Sequence, residues 1–295
     1  MPGDTYLTTA EAADYLKLKE RKLYELVAEA AIPCTKVTGK WLFPRASLDR
    51  WLEAGMTGPA AAARAAPPVI AGSHDLLLEW AARDSVCGLA LLAEGSSRGL
   101  ERLAAGEAAV AAIHFHATDE SDPPNLAAVS ARADLADAVV VSFCRREQGL
   151  VVAPGNPLGL AAVEDAVARK ARFAVRQPGA GAQLLLEAIL ARAGIAAGTL
   201  AVAAGPCATG SELALAVRVG RADCGIASRG VAETHGLAFL PLAWERFDLA
   251  LRRRTYFEPG PQRLFALMRT PAFVARAAEF GGYDVSEAGT ILLNR

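Results

Sequence analysis

From Pro68 onward the chain alternates two apolar rhythms. Short runs rich in Val, Ile, Leu and Ala, such as VIAG, LALLAE, AAVAAIHF, DAVVVSFCR, GLVVAPG, RFAVRQPG, TLAVAAG, ADCGIAS, LAFLPL and FDLALRR, read as strands. Between several of them lie stretches with apolar positions at helical spacing: LLLEWAARD, GLERLAAGE and AQLLLEAILARAG. Strand followed by helix, repeated, predicts an α/β architecture built on mostly parallel sheets. Residues 54–68, AGMTGPAAAARAAPP, break both rhythms and read as a linker.

The first fifty residues follow a different plan. Thr8 can cap a helix TAEAADYLKL, with Glu11 reaching back to complete a capping box. A second helix, KERKLYELVAEA, buries Leu23, Leu26 and Val27 and carries Lys19, Arg21 and Lys22 at its start. Pro33 stops it. The following CTKVTGKWLFP reads as two short strands about a Thr38-Gly39 turn, with Lys36 and Lys40 flanking the tip and Trp41 and Phe43 alternating inward. Helix, turn, helix and wing in this order predict a DNA reader that inserts the start of its second helix into a major groove.

Charge sharpens this reading. The 295-residue chain has a formal net charge of -1, so it has no global attraction to nucleic acid or to an anionic membrane. Lys17, Lys19, Arg21, Lys22, Lys36, Lys40 and Arg45 nevertheless crowd one short span against Glu20, Glu25 and Glu29. That is a local cationic face, with Lys19, Arg21, Lys22, Lys36 and Lys40 placed for phosphates, Tyr24 for a backbone or base edge, and Thr38 and Trp41 at the wing. Composition, 53% hydrophobic with 21% charged residues, describes a packed globular protein of more than one domain. Five separated cysteines without a C-x-x-C pair signal neither a zinc knuckle nor a disulfide framework. With no secretory signal pattern and no long apolar run, the expectation is a soluble cytoplasmic protein without a membrane partner.

Three places in the larger segment join a strand end to small polar residues and a helix start, where free backbone N–H groups and the helix dipole favour an anion. They are AGSHD with Ser73 and His74, EGSSRGL with Ser96, Ser97 and Arg98, and RQPGAGAQLL with Arg176, Gln177, Gly179, Gly181 and Gln183. Ser73 is placed to cap the helix DLLLEWAARD. Catalytic signals are thin: His114 and His116 share one strand face near Asp119, a pair short of a defined third ligand, and no G-x-S-x-G elbow is present.

YLTTAEAADYLKLKERKLYELVAEAAIPCTKVTGKWLFPRASLDRWLEA resembles the MerR/excisionase-type winged helix-turn-helix, although Ala30-Ala31 stands where that family usually carries a glycine before the wing. From Val69 onward the chain resembles the periplasmic-binding-protein-like domain of type 2, the kind that holds molybdate, tungstate and other small anions between two α/β lobes. The resemblance rests on AGSHDLLLEW, EGSSRGLERLAAGEAAVAAIHFHATD, REQGLVVAPGNPLGL, RFAVRQPGAGAQLLLEAILARAGI, ELALAVRVGRADCGIAS and LAFLPLAWERFDL. It implies that Ser73, Ser96 and Ser97 face a ligand from one lobe, and the loop from Arg176 to Gln183 with Ser211 from the other. GAGAQ in place of G-x-G-T-R, and Ser211-Glu212 in place of Thr-His, point away from a highly charged oxyanion.

The combined expectation is an α/β protein with a winged helix-turn-helix at 1–54, a linker at 55–68 and a two-lobed domain at 69–295. Lobe I takes about 69–148 and 248–295, lobe II about 151–241, with crossings near Gln148–Val151 and Pro241–Phe247. Function follows as a homodimeric or higher-order transcription regulator of double-stranded DNA that senses a small anion or polar metabolite, a molybdate- or tungstate-like oxyanion being the first choice, with no cofactor and no catalysis. Two rivals stand beside it: a metal-dependent enzyme using His114 and His116 with a docking domain, and an excisionase-like DNA-bending factor.

Overall fold

The computed structural model describes residues 6–36, 39–54, 66–115, 124–203 and 205–295, with backbone alone at 50, 53 and 54. The chain forms two compact units, Met1–Arg64 and Ala65–Arg295.

In the first unit β1 (Tyr6–Leu7) leads into α1 (Thr9–Tyr15), α2 (Glu20–Ala28), β2 (Phe43–Pro44) and α3 (Arg45–Ala54). The Thr8 capping box is present: the Thr8 amide donates to Glu11 Oε2 at 2.8 Å and the Glu11 amide to Thr8 Oγ1 at 3.4 Å. Helix α2 ends at Ala28, two residues earlier than its apolar pattern suggests, because Ala30 turns left-handed at φ 52°. The chain then returns through an antiparallel bridge of Thr35 with Leu42 to β2, which pairs Phe43 with Leu7. Ala12, Ala13, Leu23, Ile32, Phe43 and Leu48 form the core, and Trp51 Nε1 donates to the Ala31 carbonyl at 2.7 Å, closing the unit.

The second unit contains, in order, β3 (Val69–Gly72), α4 (Leu76–Asp84), β4 (Ala90–Ala93), α5 (Ser96–Ala104), β5 (Val110–Ile113), α6 (Pro124–Ser130), β6 (Ala138–Val152), α7 (Val163–Ala168), β7 (Arg172–Ala174), α8 (Gly181–Arg192), β8 (Ala201–Val202), α9 (Gly210–Arg218), β9 (Cys224–Ser228), α10 (Arg229–Thr234), β10 (Ala238–Arg252), α11 (Arg253–Tyr256), α12 (Pro259–Met268), α13 (Pro271–Phe280), β11 (Tyr283–Asp284) and β12 (Ile291–Asn294). One sheet runs β4-β3-β5-β10-β6-β9-β7-β8, with β11 and β12 added to β6. Its outer strands are parallel, as the alternating pattern predicts. Its centre is not: β10 is antiparallel to both β5 and β6, and β6 to β9.

The difference comes from two merged pairs of apolar runs. DAVVVSFCR and GLVVAPG form the single 15-residue strand β6, and LAFLPL and FDLALRR the single 15-residue strand β10. The polar residues between each pair of runs make no turn. They continue the ladder, with Trp244 opposite Glu147 and Glu245 opposite Arg146, bulged between Pro241 and Ala243 and again between Phe247 and Asp248. At one end of these strands the core contains Phe143, Phe247, Leu264 and Phe273. At the other end Leu150, Phe173, Leu185 and Ile226 pack together. Between these two apolar clusters the same strands bury the polar residues Arg146, Gln148 and Glu245, which leaves a polar gap.

Candidate functional site

The gap is built around β6. Residues two apart on a strand share a face, so Arg146 and Gln148 both point inward, while Glu147 faces the other way and pairs with Arg229 at 2.6 Å. Arg146 is buried, and its guanidinium holds two carboxylates: Nε donates to Glu245 Oε1 at 2.6 Å and Nη1 to Asp75 Oδ2 at 2.7 Å. Nη2 lies 3.1 Å from His114 Nδ1; since arginine only donates, that nitrogen is the acceptor and the imidazole proton sits on Nε2. Tyr283 donates its hydroxyl to Asp75 Oδ2 at 2.9 Å, and burial pushes its phenol well above the usual range. Gln148 Nε2 donates to Glu245 Oε1 at 2.8 Å. Asp75 also caps α4, accepting from the Leu78 amide at 3.0 Å, so Asp75, and not Ser73, starts that helix.

These groups border a cavity of about 20 Å³, room for roughly one water, lined by Ser73, His74, Asp75, His114, Arg146 and Gln148 on one side. Arg176, Ala180, Ala182 and Gly210, with Ala227, Ser228 and Val231 at the end of β9 and on α10, complete the lining. The beginnings of α8 and α9 therefore open onto the cavity. Arg176 anchors its guanidinium on carbonyls, Nε on Cys207 O at 3.0 Å and Nη2 on Ala208 O at 2.8 Å, and makes no ion pair among the described residues. Burial first, and the nearby Arg146 charge second, push its pKa down to about 10. Burial likewise lowers the His74 pKa, against the opposing pull of Asp75 and Glu79.

Of the residues the sequence singles out, Ser73, His74, His114 and Arg176 line this cavity. Ser96 lies beneath it, fully buried, 2.7 Å from Ser73 Oγ and bonded to both backbone groups of His114. Gly179 approaches Ser97 so closely that an added Cβ would lie 3.2 Å from Ser97 Oγ, and a Cβ at Gly181 would lie 1.7 Å from His114 Nε2. Those two glycines admit the opposite wall. Arg98 is exposed and pairs with Glu101 at 2.8 Å. Gln177 donates to Ala208 O at 3.3 Å, and Gln183 bridges the Arg176 amide and Glu187. Thr209 rather than Ser211 caps α9, and Glu212 accepts from the Ala208 amide at 2.6 Å. His116 and Asp119 lie outside the described residues.

Asp75 ends the AGSHD stretch, but Arg146, Gln148 and Glu245 carry no motif. The signal of these three is a polar interruption, REQ and WER, inside otherwise apolar strand runs.

On the first unit, Lys19 precedes α2, and Arg21 and Lys22 both reach Glu25, at 3.5 and 3.1 Å. Tyr24 is 49% exposed. Lys36 lies 5.2 Å over the ring of Trp41, which is half-buried against the core, and Lys40 is exposed. Lys19, Lys36 and Lys40 make no ion pair among the described residues. Thr38 lies outside the described residues.

A helix-turn-helix domain model matches residues 6–56. "Uncharacterized protein YvgK" of Bacillus subtilis (strain 168) is 22% identical across 97% of each chain. A putative phosphate ABC transporter substrate-binding protein from Clostridium perfringens, solved with bound phosphate, is similar in structure with TM-score 0.54 and 12% identity, covering 72% of this chain and 96% of its own. A tungstate ABC transporter structure from Geobacter sulfurreducens has TM-score 0.50 and 15% identity, covering 72% of this chain and 99% of its own. At such identities the likeness concerns the fold. A PBP superfamily domain model matches residues 78–269, well over half of the chain. The chain thus belongs to the PBP superfamily and carries a helix-turn-helix domain ahead of its α/β unit.

Proposed function

We propose that the chain is a one-component transcription regulator whose cleft takes a small anion. The observation that supports this most strongly is Arg176. Its guanidinium stands at the mouths of α8 and α9, beside a second buried guanidinium, and has no carboxylate partner among the described residues. Closing the two bodies places this charge in a poorly hydrated gap, which is costly unless an anion enters with it. An anion therefore binds the closed arrangement more strongly than the open one, and that difference alone can shift the equilibrium. The present cavity admits little more than a water, so the cleft that holds an anion is wider than this one.

In this reading residues 1–54 are a DNA-binding domain of the MerR/excisionase type and residues 55–68 a linker. Lobe I takes about 69–148 and 248–295, and lobe II about 151–241. Lys19, Arg21, Lys22, Lys36 and Lys40 contact phosphates, and a symmetric dimer reads two half-sites. The solved relatives whose names mention phosphate and tungstate make oxyanions the first probes. A thermal-shift panel of phosphate, sulfate, molybdate, tungstate and small organic acids on the full chain tests the reading. At least one anion raises the melting temperature of the wild type, and Arg176→Gln abolishes that rise. A panel without any stabilising anion, or an Arg176→Gln protein that responds like the wild type, contradicts it.

A further inference from the structure

The cleft's hydrogen-bonding inventory narrows its guest, and this step rests on the anion reading above. Ser96 Oγ accepts from the His114 amide at 2.9 Å and lies 3.0 Å from the His114 carbonyl. A hydroxyl has one proton; Ser96 satisfies that carbonyl by giving its proton there, and its remaining lone pair then accepts from Ser73 at 2.7 Å. Ser73, which lines the cavity, has thus spent its only donor and faces the guest with lone pairs. Gln148 makes a second such wall. It is 2% exposed and lines the cavity, and its Oε1 has no partner. Flipping the amide brings no relief, since Nε2 is held by Glu245 Oε1 at 2.8 Å and a flip would set oxygen against oxygen.

Charge adds a constraint. Arg146 already holds two carboxylates, Asp75 and Glu245, so among the described cavity-lining residues Arg176 is the cation left for a guest, and a second negative charge on the guest meets no cation of its own. A buried acceptor without a donor is costly, so a guest that fills the cavity in place of water must supply one.

We propose that the cleft selects a singly charged anion bearing its own O–H or N–H, with the charge toward Arg176 and the donor toward Ser73 and Gln148. A protonated oxyacid and a small hydroxy acid share this chemistry; fully ionised molybdate, tungstate and sulfate lack it.

Calorimetric titration of the full chain with matched pairs tests this. At mildly acidic pH, ethylphosphonate and ethanesulfonate are both monoanions and differ by one hydroxyl; lactate and pyruvate make the corresponding carboxylate pair. The donor-bearing member of at least one pair binds at least about tenfold tighter than its partner, and the pair that responds identifies the source. Ser73→Ala and Gln148→Met, each checked by circular dichroism for an intact fold, shrink that ratio to about threefold or less. Equal affinities within both pairs, or a preference untouched in both variants, overturn the inference. If sulfate or tungstate binds at least as tightly as the donor-bearing probes, the anion reading stands and this inference falls; if no probe binds, both fall.

Discussion

At the scale of single residues, two positions carry a measurable cost. Ala30 adopts φ 52°, a left-handed conformation that a Cβ opposes by about 1–2 kcal/mol. Glycine accepts it freely but loses more chain entropy on folding. Ala30→Gly is therefore expected to stabilise the first unit by about 0.5–1 kcal/mol, seen as slower amide exchange across α1 and α2; unchanged protection contradicts this. Asp248 on β10 is fully buried, and burial raises its pKa to about 6 although Asn125 donates to it at 2.7 Å. The folded state keeps this proton up to about pH 6 while the unfolded chain loses it near 3.8. Stability from this group is thus greatest below the unfolded value and is lost as pH rises through the folded one. Asp248→Asn cannot lose a proton, so its stability relative to wild type rises with pH across this window and levels off above it. Urea midpoints at several pH values check the trend; a constant difference contradicts it.

At the scale of elements, the cleft is shaped by what crosses it. Strands β6 and β10 span both bodies, and Arg146 at their centre ties the start of α4 to both of them through Asp75 and Glu245. Truncating one member of such a buried network leaves uncompensated charge, a loss of about 3–5 kcal/mol, so Arg146 has a structural role beside any contact with a guest. Helix α8 closes against the end of β5, and there glycine is required by space: a Cβ at Gly181 would lie 1.7 Å from His114 Nε2. His114 cannot easily move aside, because Arg146 bonds its other nitrogen and Phe247 stacks on its ring at 5.8 Å. Gly181→Ala is expected to hold the bodies apart and weaken anion binding at least about tenfold while the circular dichroism spectrum stays unchanged. Wild-type affinity in this variant would show that the approach of α8 plays no part in capture.

Across the whole molecule, the sequence's patterns revealed architecture better than chemistry. The capping box at Thr8, the antiparallel bridge of Thr35 with Leu42 and the outer parallel strands follow from local periodicity. The antiparallel centre was not legible, because a polar interruption inside an apolar strand resembles a loop until the partner strand is known. The same blindness hid Arg146, Gln148 and Glu245, and the role of Asp75 also depends on a partner about seventy positions away. Ser96, Gly179 and Gly181 illustrate the converse, in that residue types suited to an anion also suit close packing. Under the proposed function, a helix-turn-helix joined to an anion cleft acts as a sensor only if the two are energetically coupled, and coupling is reciprocal. The direct measurement is fluorescence anisotropy of the DNA immediately upstream of the protein's own gene, titrated with the chain in the absence and in the saturating presence of the anion that stabilises it. The account predicts at least about a fivefold change in DNA affinity, with the same factor appearing in anion affinity when DNA is present. Identical DNA affinities with and without the anion would contradict it.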